Sequence, residues 1–273
     1  MRLTKENYFD PESNLEYMSV SQYKQFQKCE AAAMAQLTGE WEQPKTTALL
    51  VGSYVDAWFE GELGAFRSEH PEIFKKDGSL KSDYLQAEDI IQRVQRDPLF
   101  MAYMAGQKQR IRTATLFGAK WKIKIDSLHR DKIVDLKVMR SMERIMGKSF
   151  VEYWGYDLQM AIYEEITFLA SRRKNKKRRD TFLAVVTKQT PADLEIIEIP
   201  EWRRKELLAD VERQMPHILA VKAGKERAER CGVCDYCRAT KQLKEPIDFE
   251  MVGLSTAERK AVFGSTNYDN MSY

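Results

Sequence analysis

Residues 121–137 read WKIKIDSLHRDKIVDLK, and this stretch predicts two short β-strands joined by a polar turn. In the first strand, apolar residues at positions 121, 123 and 125 alternate with charged residues, the last of which is Asp126. Such alternation is typical of a half-buried strand. In the second strand, Asp135 and Lys137 share one face, and the apolar residues at positions 134, 136 and 138 share the other. The stretch therefore indicates a hairpin with charged residues on one side.

The charged residues of this hairpin are of the types that bind a metal ion and phosphate. Positions i and i+2 of a strand lie about 6.5–7 Å apart on one face, so Asp135 and Lys137 point the same way and a hairpin could bring Asp126 beside them. Two carboxylates that hold a hard divalent cation, with a lysine that orients or activates water and offsets phosphate charge, are what a metal-dependent phosphodiesterase requires. On these residues alone, the alternative is a solvent-facing polar stripe with a salt bridge, because charged strand faces are common.

Length and composition limit the class of protein. The 273 residues suffice for one large domain or two small ones, and a hydrophobic fraction of 43% with a charged fraction of 31% is typical of a soluble globular protein. Because the net charge is only +3, any affinity for nucleic acid must come from local basic patches. No apolar run approaches the roughly 20 residues of a membrane span, and the first residues lack the apolar core of a signal peptide. We therefore expect a cytoplasmic protein that does not bind membranes.

Hydrophobic periodicity and turn residues predict the remaining elements. The predicted elements are an extended lead-in over 1–17, helices over about 19–39, 46–59 and 84–106 (with a break at Asp97-Pro98), strands over 109–117, 119–126 and 132–138, a helix over 150–170, strands over 181–188 and 194–199, and a helix over 202–221. This order predicts the α/β class, with a mixed central β-sheet flanked by helices and a long helical part before it.

Two of the predicted helices carry polar residues that could face a site. Gly52 costs about 1 kcal/mol relative to alanine inside a helix, which suggests close backbone packing or an approaching substrate. Asp56 lies one turn later on roughly the same face, and Gln159 and Tyr163 share a face in the same way. The alternatives are an ordinary exposed aspartate at position 56 and a core helix with Gln159 at its border.

A run of basic residues follows the helix that carries Gln159 and Tyr163. The run is interrupted only by Asn175, and its basic members are Arg172, Arg173, Lys174, Lys176, Lys177, Arg178 and Arg179. Such a run is usually a solvated loop, and cations are also favoured near a helix C-terminus. Its position after this helix makes contact with nucleic-acid phosphate the alternative.

Four cysteines form a candidate metal centre. Cys231, Cys234 and Cys237 have C-x2-C-x2-C spacing, and Cys29 is the only other cysteine. In a cytoplasmic protein, thiols this close serve as metal ligands more often than as disulfides. The compact triple favours a 4Fe-4S cluster with Cys29 as the fourth ligand, and a tetrahedral Zn²⁺ site is the alternative. Either metal would act as a structural clasp that closes a loop of about 200 residues. Taken alone, Cys29 could also be a small buried core residue.

Taken in order, these motifs resemble the PD-(D/E)XK nuclease superfamily, in the branch of RecB-, AddB- and RecE-like nucleases and CRISPR adaptation nucleases. The resemblance covers about residues 20–240. GSYVD is similar to the first motif, with Asp56 where a histidine is usual; IDSL supplies Asp126, VDLK supplies Asp135 and Lys137, and QMAIY supplies Gln159 and Tyr163. The iron–sulfur members have one cysteine before the nuclease core and three after it, with a longer last gap than here. The surroundings of CGVCDYC most resemble phage-encoded RecE-like exonucleases.

The resemblance implies a restriction-endonuclease-like core and hydrolysis of DNA phosphodiester bonds with Mg²⁺ or Mn²⁺. Asp56, Asp126 and Asp135, with a backbone carbonyl near Leu136, would hold the metal, and Lys137 would position the attacking water. Gln159 and Tyr163 would hold the DNA backbone or brace the lysine. It further implies exonuclease action at DNA ends that yields single strands for a phage annealing protein. Assembly of the nuclease into a homo-oligomer is a further expectation.

Two other functions stay open at this point, a CRISPR adaptation-type nuclease that trims DNA ends and a catalytically silent DNA-binding protein of the same fold. The expected domains are an N-terminal helical region over 1–108 packed on the core, a nuclease core over 109–222, a cysteine-cluster segment over 223–250 joined by Cys29, and a tail over 251–273.

Overall fold

The computed structural model describes residues 2–42, 47–243 and 246–263. Its α-helices are α1 (Pro11–Glu16), α2 (Val20–Lys28), α3 (Glu30–Leu37), α4 (Thr47–Glu60), α5 (Leu63–Glu69), α6 (Ser82–Gln95), α7 (Pro98–Tyr103), α8 (Phe150–Tyr153), α9 (Tyr156–Leu169), α10 (Glu201–Lys222), α11 (Asp235–Ala239) and α12 (Thr256–Phe263). Its β-strands are β1 (Gln107–Leu116), β2 (Ala119–Leu128), β3 (Lys132–Met139), β4 (Asp180–Thr187) and β5 (Leu194–Glu198).

The described residues divide into two compact units. The first contains residues 2–8 and 47–213, and the second contains residues 9–42 and the described part of 214–263. The sheet and helices α4 to α9 lie in the first unit, whereas α1 to α3, α11 and α12 lie in the second. Helix α10 belongs to the first unit as far as Arg213 and to the second from Gln214 onwards.

The first unit is built on a mixed five-stranded sheet in the order β1-β2-β3-β4-β5. Neighbouring strands are antiparallel except β3 and β4, which are parallel. The pairing of β2 with β3 is confined to Ser127 with Val134 and Leu128 with Ile133. Beyond these two pairs the strands separate, which leaves room for side chains between them. The predicted hairpin is therefore correct at its turn and opens towards its charged residues.

The alternation along β3 sends its side chains into two environments. Val134 and Leu136 are buried in an apolar core with residues of β4 and of helices α4, α6 and α7. Successive residues of a strand point to opposite faces, so Asp135 and Lys137 point away from this core. On their side of the sheet, α9 packs against β1, β2, β3 and β4.

Two predicted helices are in fact interrupted. The helix expected over 19–39 breaks at Cys29, whose φ of −166° and ψ of 106° are extended. Just after the break, the N–H of Ala31 donates to the carbonyl of Glu229 at 3.0 Å, a contact distant in sequence that local periodicity does not reveal. The helix expected over 150–170 breaks at Gly155, which adopts a left-handed φ of 61°.

Two smaller differences concern the segments between the predicted elements. The lead-in expected to be extended over 1–17 contains the short helix α1, which starts at Pro11, a residue whose φ already suits a first helical turn. Helix α5 lies between the helices predicted over 46–59 and 84–106, in a segment for which no element was predicted. The expected break at Asp97-Pro98 is confirmed, because α6 ends before it and α7 begins at Pro98.

In the second unit, partly buried polar contacts connect the end of α10 to the first helices. The ammonium of Lys222 donates to the carbonyl oxygens of Asn14 and Tyr17 at 3.0 and 3.2 Å, and to the side-chain oxygen of Gln22 at 2.9 Å. These bonds link the end of α10 to α1 and α2 within this unit. Among the helices that the structure describes, none combines the length and apolar character needed to cross a membrane.

Candidate active site and cysteine centre

The widening gap between β2 and β3 is occupied by the carboxylate of Asp126. The backbone N–H of Leu136 donates to Asp126 Oδ2 at 2.9 Å, so a side chain takes the place of a strand-to-strand bond. This contact fixes the Asp126 carboxylate next to the β3 segment that carries Asp135 and Lys137. The structure therefore brings Asp126, Asp135 and Lys137 together, as the sequence predicts.

The carboxylate of Asp135 is buried, with 2% of its surface exposed. Its Oδ1 accepts a hydrogen bond of 2.8 Å from the side-chain amide of Gln159 on α9. Its Oδ2 contacts the ammonium of Lys137 as an ion pair. Among the described residues, that ammonium is the partner of this buried Oδ2. A buried carboxylate whose oxygen has only a charged partner can also serve as a ligand for a metal cation.

Asp56 of α4 belongs to the same group of charges. Burial raises the pKa of Asp56 to about 7 against the opposing effect of the Lys137 ammonium, and the charges of Asp135 and Glu60 add to the rise. Burial also raises the pKa of Asp126 well above its ordinary value, and the charges of Asp135 and Asp56 contribute. Three carboxylates thus share one ammonium. A hard divalent cation would relieve this repulsion, so the residues fit the Mg²⁺ or Mn²⁺ that the sequence predicts.

Lys137 is a cation in this site. Burial lowers the pKa of its ammonium, but the carboxylates of Asp135 and Asp126 outweigh that effect and hold the pKa above its ordinary value. The ammonium also lies 4.7 Å from the centroid of the Tyr156 ring. A lysine held protonated in this way can orient water and stabilise negative charge, but it cannot accept a proton as a general base.

Gln159 and Tyr163 reach the site from α9, as their spacing predicts. Gln159 braces Asp135 rather than Lys137, because its amide bonds the Asp135 carboxylate. Burial raises the pKa of the Tyr163 phenol well above its ordinary value, with the charge of Asp135 as the next cause and a hydrogen bond with Gln159 opposing it. Tyr163 is therefore a neutral phenol beside the carboxylates. Contact of either residue with the DNA backbone stays a prediction.

Gly52 lies one helical turn before Asp56. The sequence offered two explanations for this glycine, close backbone packing and an approaching substrate, and its surroundings exclude the first. A Cβ atom built at Gly52 meets no described atom within 4 Å, so close backbone packing does not account for this glycine. The other explanation, that a substrate approaches there, stays a prediction.

Gln109 is a site residue that the sequence interpretation missed. It lies opposite Asp126 in the β1–β2 register, where its left-handed φ of 48° interrupts the ladder. Its side-chain amide is 3.5 Å from Asp126 Oδ1, and its buried Oε1 has no hydrogen-bond partner among the described residues. The sequence could have indicated this residue, because a two-residue hairpin turn at Phe117-Gly118 pairs position 109 with position 126.

Two charged residues border the carboxylates and were not predicted either. Glu60 lies one turn after Asp56 on α4, and burial raises its pKa while the charge of Lys124 on β2 lowers it. Lys124 also opposes the raised pKa of Asp56. The sequence could have indicated both residues, because positions 56 and 60 share one face of a helix and positions 124 and 126 share one face of a strand.

The basic run after α9 separates into residues with different partners. The guanidinium of Arg178 is paired with Glu164 at 2.5 Å and with Glu165 at 2.7 Å. Arg179 is half-buried, and its Nε donates to the carbonyl of His129 at 3.2 Å. The remaining basic members are exposed; they are Arg172, Arg173, Lys174, Lys176 and Lys177. DNA contact by the run stays a prediction, and the structure makes Arg178 the least suited member.

The four cysteines come together in the second unit. Their Sγ atoms all lie within 4.8 Å of one another, with 3.6 Å between Cys29 and Cys237 and 3.9 Å between Cys231 and Cys237. Backbone N–H groups point at the sulfurs, since Cys231 donates to the Sγ of Cys29, Cys234 to that of Cys231, and Cys237 to that of Cys234, each at 3.4 Å. The extended backbone at Cys29 thus brings the distant cysteine to the triple.

The spacing of these sulfurs can be compared with the two predicted centres. Four thiolates at about 2.3 Å from one tetrahedral zinc ion lie about 3.8 Å apart. A cubane cluster places four irons and four sulfides between its thiolates and so needs a wider separation. The distances of 3.6 and 3.9 Å are close to the zinc value, and the limit of 4.8 Å for the whole set lies above it. A cubane requires the sulfurs to move apart.

Comparison with known proteins agrees with the fold. The profile of a family described as a PDDEXK-like domain of unknown function (DUF3799) matches residues 19–240, and the chain belongs to this family. A crystal structure from Eubacterium rectale, described as that of a candidate exonuclease, is 49% identical in sequence with a TM-score of 0.85, and the match covers 92% of this chain and 97% of that one. A search of curated proteins gives no significant match. The predicted superfamily and the mixed, helix-flanked sheet are therefore confirmed.

Proposed function

We propose that the protein is a deoxyribonuclease that requires Mg²⁺ or Mn²⁺ and removes nucleotides from DNA ends. The observation that carries this proposal is the convergence of three carboxylates, those of Asp56, Asp126 and the buried Asp135, on one protonated lysine. Membership of the PDDEXK-like family and 49% identity to a candidate exonuclease support it.

The metal would be held by these three carboxylates together with a backbone carbonyl near Leu136. When bound, it supplies a Lewis acid that polarises the phosphodiester and lowers the pKa of a coordinated water. The N–H bond from Leu136 keeps one oxygen of Asp126 in place, and Gln159 does the same for Asp135. Ligands whose orientation is fixed in advance require little rearrangement at the moment of reaction.

Lys137 and Tyr163 act on the substrate side of the site. The Lys137 ammonium donates hydrogen bonds to the attacking water and stabilises the negative charge that develops on the phosphate oxygens. Because its pKa is held above the ordinary value, it stays charged throughout the neutral pH range. The neutral phenol of Tyr163 can donate a hydrogen bond to a phosphate oxygen of the DNA backbone.

The biological setting follows from the likeness to phage RecE-like exonucleases. In that setting, digestion of one strand at a duplex end supplies single strands to a phage annealing protein, and the exonuclease works as a homo-oligomer. A CRISPR adaptation-type nuclease would instead trim short overhangs. A catalytically silent DNA-binding protein would not need the complete set of Asp126, Asp135 and Lys137, which speaks for an active enzyme.

The cysteine centre has a structural function in this proposal. A metal held by Cys29 and the C-terminal triple would join α2 and α3 to the segment after α10 within the second unit. Because the site does not exist in the unfolded chain, its binding energy contributes directly to folding. The sulfur spacing supports a single zinc ion, and the family likeness supports the predicted 4Fe-4S cluster. Elemental analysis of anaerobically purified protein, together with its absorption near 400 nm, distinguishes zinc from iron.

The decisive assay uses end-labelled linear duplex, closed circular duplex and single-stranded DNA of the same sequence. Each is incubated with Mg²⁺, Mn²⁺, Ca²⁺ or a chelator. The proposal predicts stepwise loss of nucleotides from linear DNA with Mg²⁺ or Mn²⁺, and no digestion of the closed circle. Digestion of the circle at the same rate would contradict action at ends, and digestion in the presence of chelator would contradict the metal requirement.

A further inference from the structure

A basic cleft in the first unit, here called the arginine cleft, lies beyond the carboxylates on the α9 side of the sheet. It has a volume of about 430 Å³ and is lined by Arg112 of β1, by Leu128 of β2, and by residues at and after the end of α9. Its four arginines are Arg112, Arg172, Arg173 and Arg179. Three of them come from the basic run, but Arg112 is about 60 residues earlier in the chain and was not among the predicted DNA-binding residues.

The guanidinium groups of the cleft are held close together despite their like charge. Burial lowers the pKa of Arg112, and the charges of Arg110 and Arg179 lower it further. Burial also lowers the pKa of Arg179, with Arg173 as the next cause, and Glu164 and Asp131 oppose it. Glu164 is already paired with Arg178. Unlike the carboxylate site, this concavity therefore concentrates positive charge.

Two of these arginines are fixed by the backbone. Arg112 Nη1 donates to the carbonyl of Ile111 at 3.1 Å, and Arg179 Nε donates to the carbonyl of His129 at 3.2 Å. Each of these bonds uses one of the five N–H donors of a guanidinium, so both groups are oriented while most of their donors face other directions. An oriented guanidinium presents parallel N–H donors with which it can bind a phosphate in a bidentate manner.

The cleft adjoins the carboxylate site along two elements. Positions 159, 163 and 167 follow one face of α9, and the first two reach the carboxylates while Thr167 lines the cleft. On β2, Asp126 and Leu128 share a face. Eight residues of helix span about 12 Å, which corresponds to roughly two to four nucleotides of a DNA strand.

We propose that the arginine cleft binds a phosphate group of the DNA strand, about two to four nucleotides from the bond that is cleaved. This inference rests on the proposed nuclease function and adds a specific anchoring point to it. The phosphate has two sources, the terminal phosphomonoester of a DNA end or an internal phosphodiester, and both present the same oxygens to the four arginines.

The test measures the affinity of the full-length protein for fluorescent duplex oligonucleotides in Ca²⁺, with a 5′-phosphate, a 3′-phosphate or hydroxyl groups at the ends. Arg112→Gln is the main variant. Lys177→Gln is the matched control, because Lys177 belongs to the same basic run but does not line the cleft. We expect Arg112→Gln to weaken binding by about tenfold and to reduce the slope of log affinity against log salt by about 0.9. Lys177→Gln should weaken binding less than about twofold.

A second variant keeps the test independent of folding. Arg112→Lys retains the charge and loses the bidentate geometry, so it should fall between wild type and Arg112→Gln. If a terminal phosphate strengthens wild-type binding and this gain disappears in Arg112→Gln, the cleft binds DNA ends. If the end groups have no effect and Arg112→Gln still weakens binding, it binds an internal phosphate.

Equal affinities for Arg112→Gln and Lys177→Gln, in a protein that digests the same DNA with Mg²⁺, would overturn the assignment of the cleft alone. Absence of both binding and digestion by the wild type would instead overturn the nuclease function on which it rests.

Discussion

Asp56 gives the protein a pH-dependent stability in the absence of magnesium and manganese. Folding raises the pKa of this carboxyl from its ordinary value of 3.8 to about 7, chiefly through burial. A carboxyl whose pKa is raised binds more protons in the folded state than in the unfolded state, so stability falls as pH rises between the two values. The stabilisation is therefore complete below about pH 4 and is lost by about pH 7 or 8.

The size of the effect follows from these two pKa values. Linkage gives a loss of about 2–3 kcal/mol between pH 5 and pH 8 for Asp56 alone, and partial solvent access reduces this to about 1–2 kcal/mol. For a unit of this size, that corresponds to a decrease in Tm of roughly 3–6 °C. Asp126, whose pKa is also raised, changes stability in the same direction.

The assay is thermal denaturation followed by circular dichroism at pH 5 and pH 8, in buffer without magnesium or manganese. Asp56→Asn should make the decrease smaller by the share of Asp56, about 1–2 kcal/mol, and leave the share of Asp126. Asp131→Asn should not alter the decrease, because the pKa of Asp131 lies below this window. Mg²⁺ added at pH 8 should stabilise the wild type by RT ln(1 + [Mg²⁺]/Kd). A wild type that is equally stable at both pH values, or an Asp56→Asn variant with the full decrease, would refute the reasoning.

Three further outcomes are expected. Gln109→Leu should weaken Mn²⁺ binding about tenfold in isothermal titration calorimetry, because the amide lies beside Asp126 as an outer-sphere partner, and unchanged affinity would place Gln109 outside the site. Cys29→Ser should lose its metal as completely as Cys234→Ser in elemental analysis, although Cys29 is 208 residues from Cys237, and full metal content would make Cys29 a core residue only. Ca²⁺ should permit DNA binding without cleavage, because its flexible coordination positions the reacting groups poorly, and rapid cleavage in Ca²⁺ would contradict this.

The positions of the strands and of the main helices along the chain could be predicted because their signals are local. Alternation around Asp126 and Asp135 sets the faces of β2 and β3 within a few residues. The spacing of Gln159 and Tyr163 places both on one side of α9, as observed. Such patterns depend on which residues are neighbours along the chain, and the sequence contains that information directly.

Features that depend on distant contacts could not be predicted in this way. The segment EAAAMAQL after Cys29 has strong helical propensity, yet the backbone is extended at Cys29 itself. Two residues later, the N–H of Ala31 donates to the carbonyl of Glu229, which lies just before the C-terminal triple of cysteines. The members of the basic run look equivalent in sequence, but Arg178 is paired with Glu164 whereas Arg179 faces the arginine cleft with Arg112. Only the folded chain determines which charges acquire partners.

The most direct test of the proposed function compares wild type with Lys137→Gln in single-turnover digestion of end-labelled linear duplex DNA at saturating Mg²⁺. Lys137 contacts Asp135 and is the cation assigned to the attacking water and the developing charge. We predict that Lys137→Gln cleaves at least about 100- to 1000-fold more slowly, while its affinity for DNA in Ca²⁺ changes by less than about threefold. Cleavage by Lys137→Gln at the wild-type rate would contradict the assignment of these carboxylates and this lysine as the catalytic site.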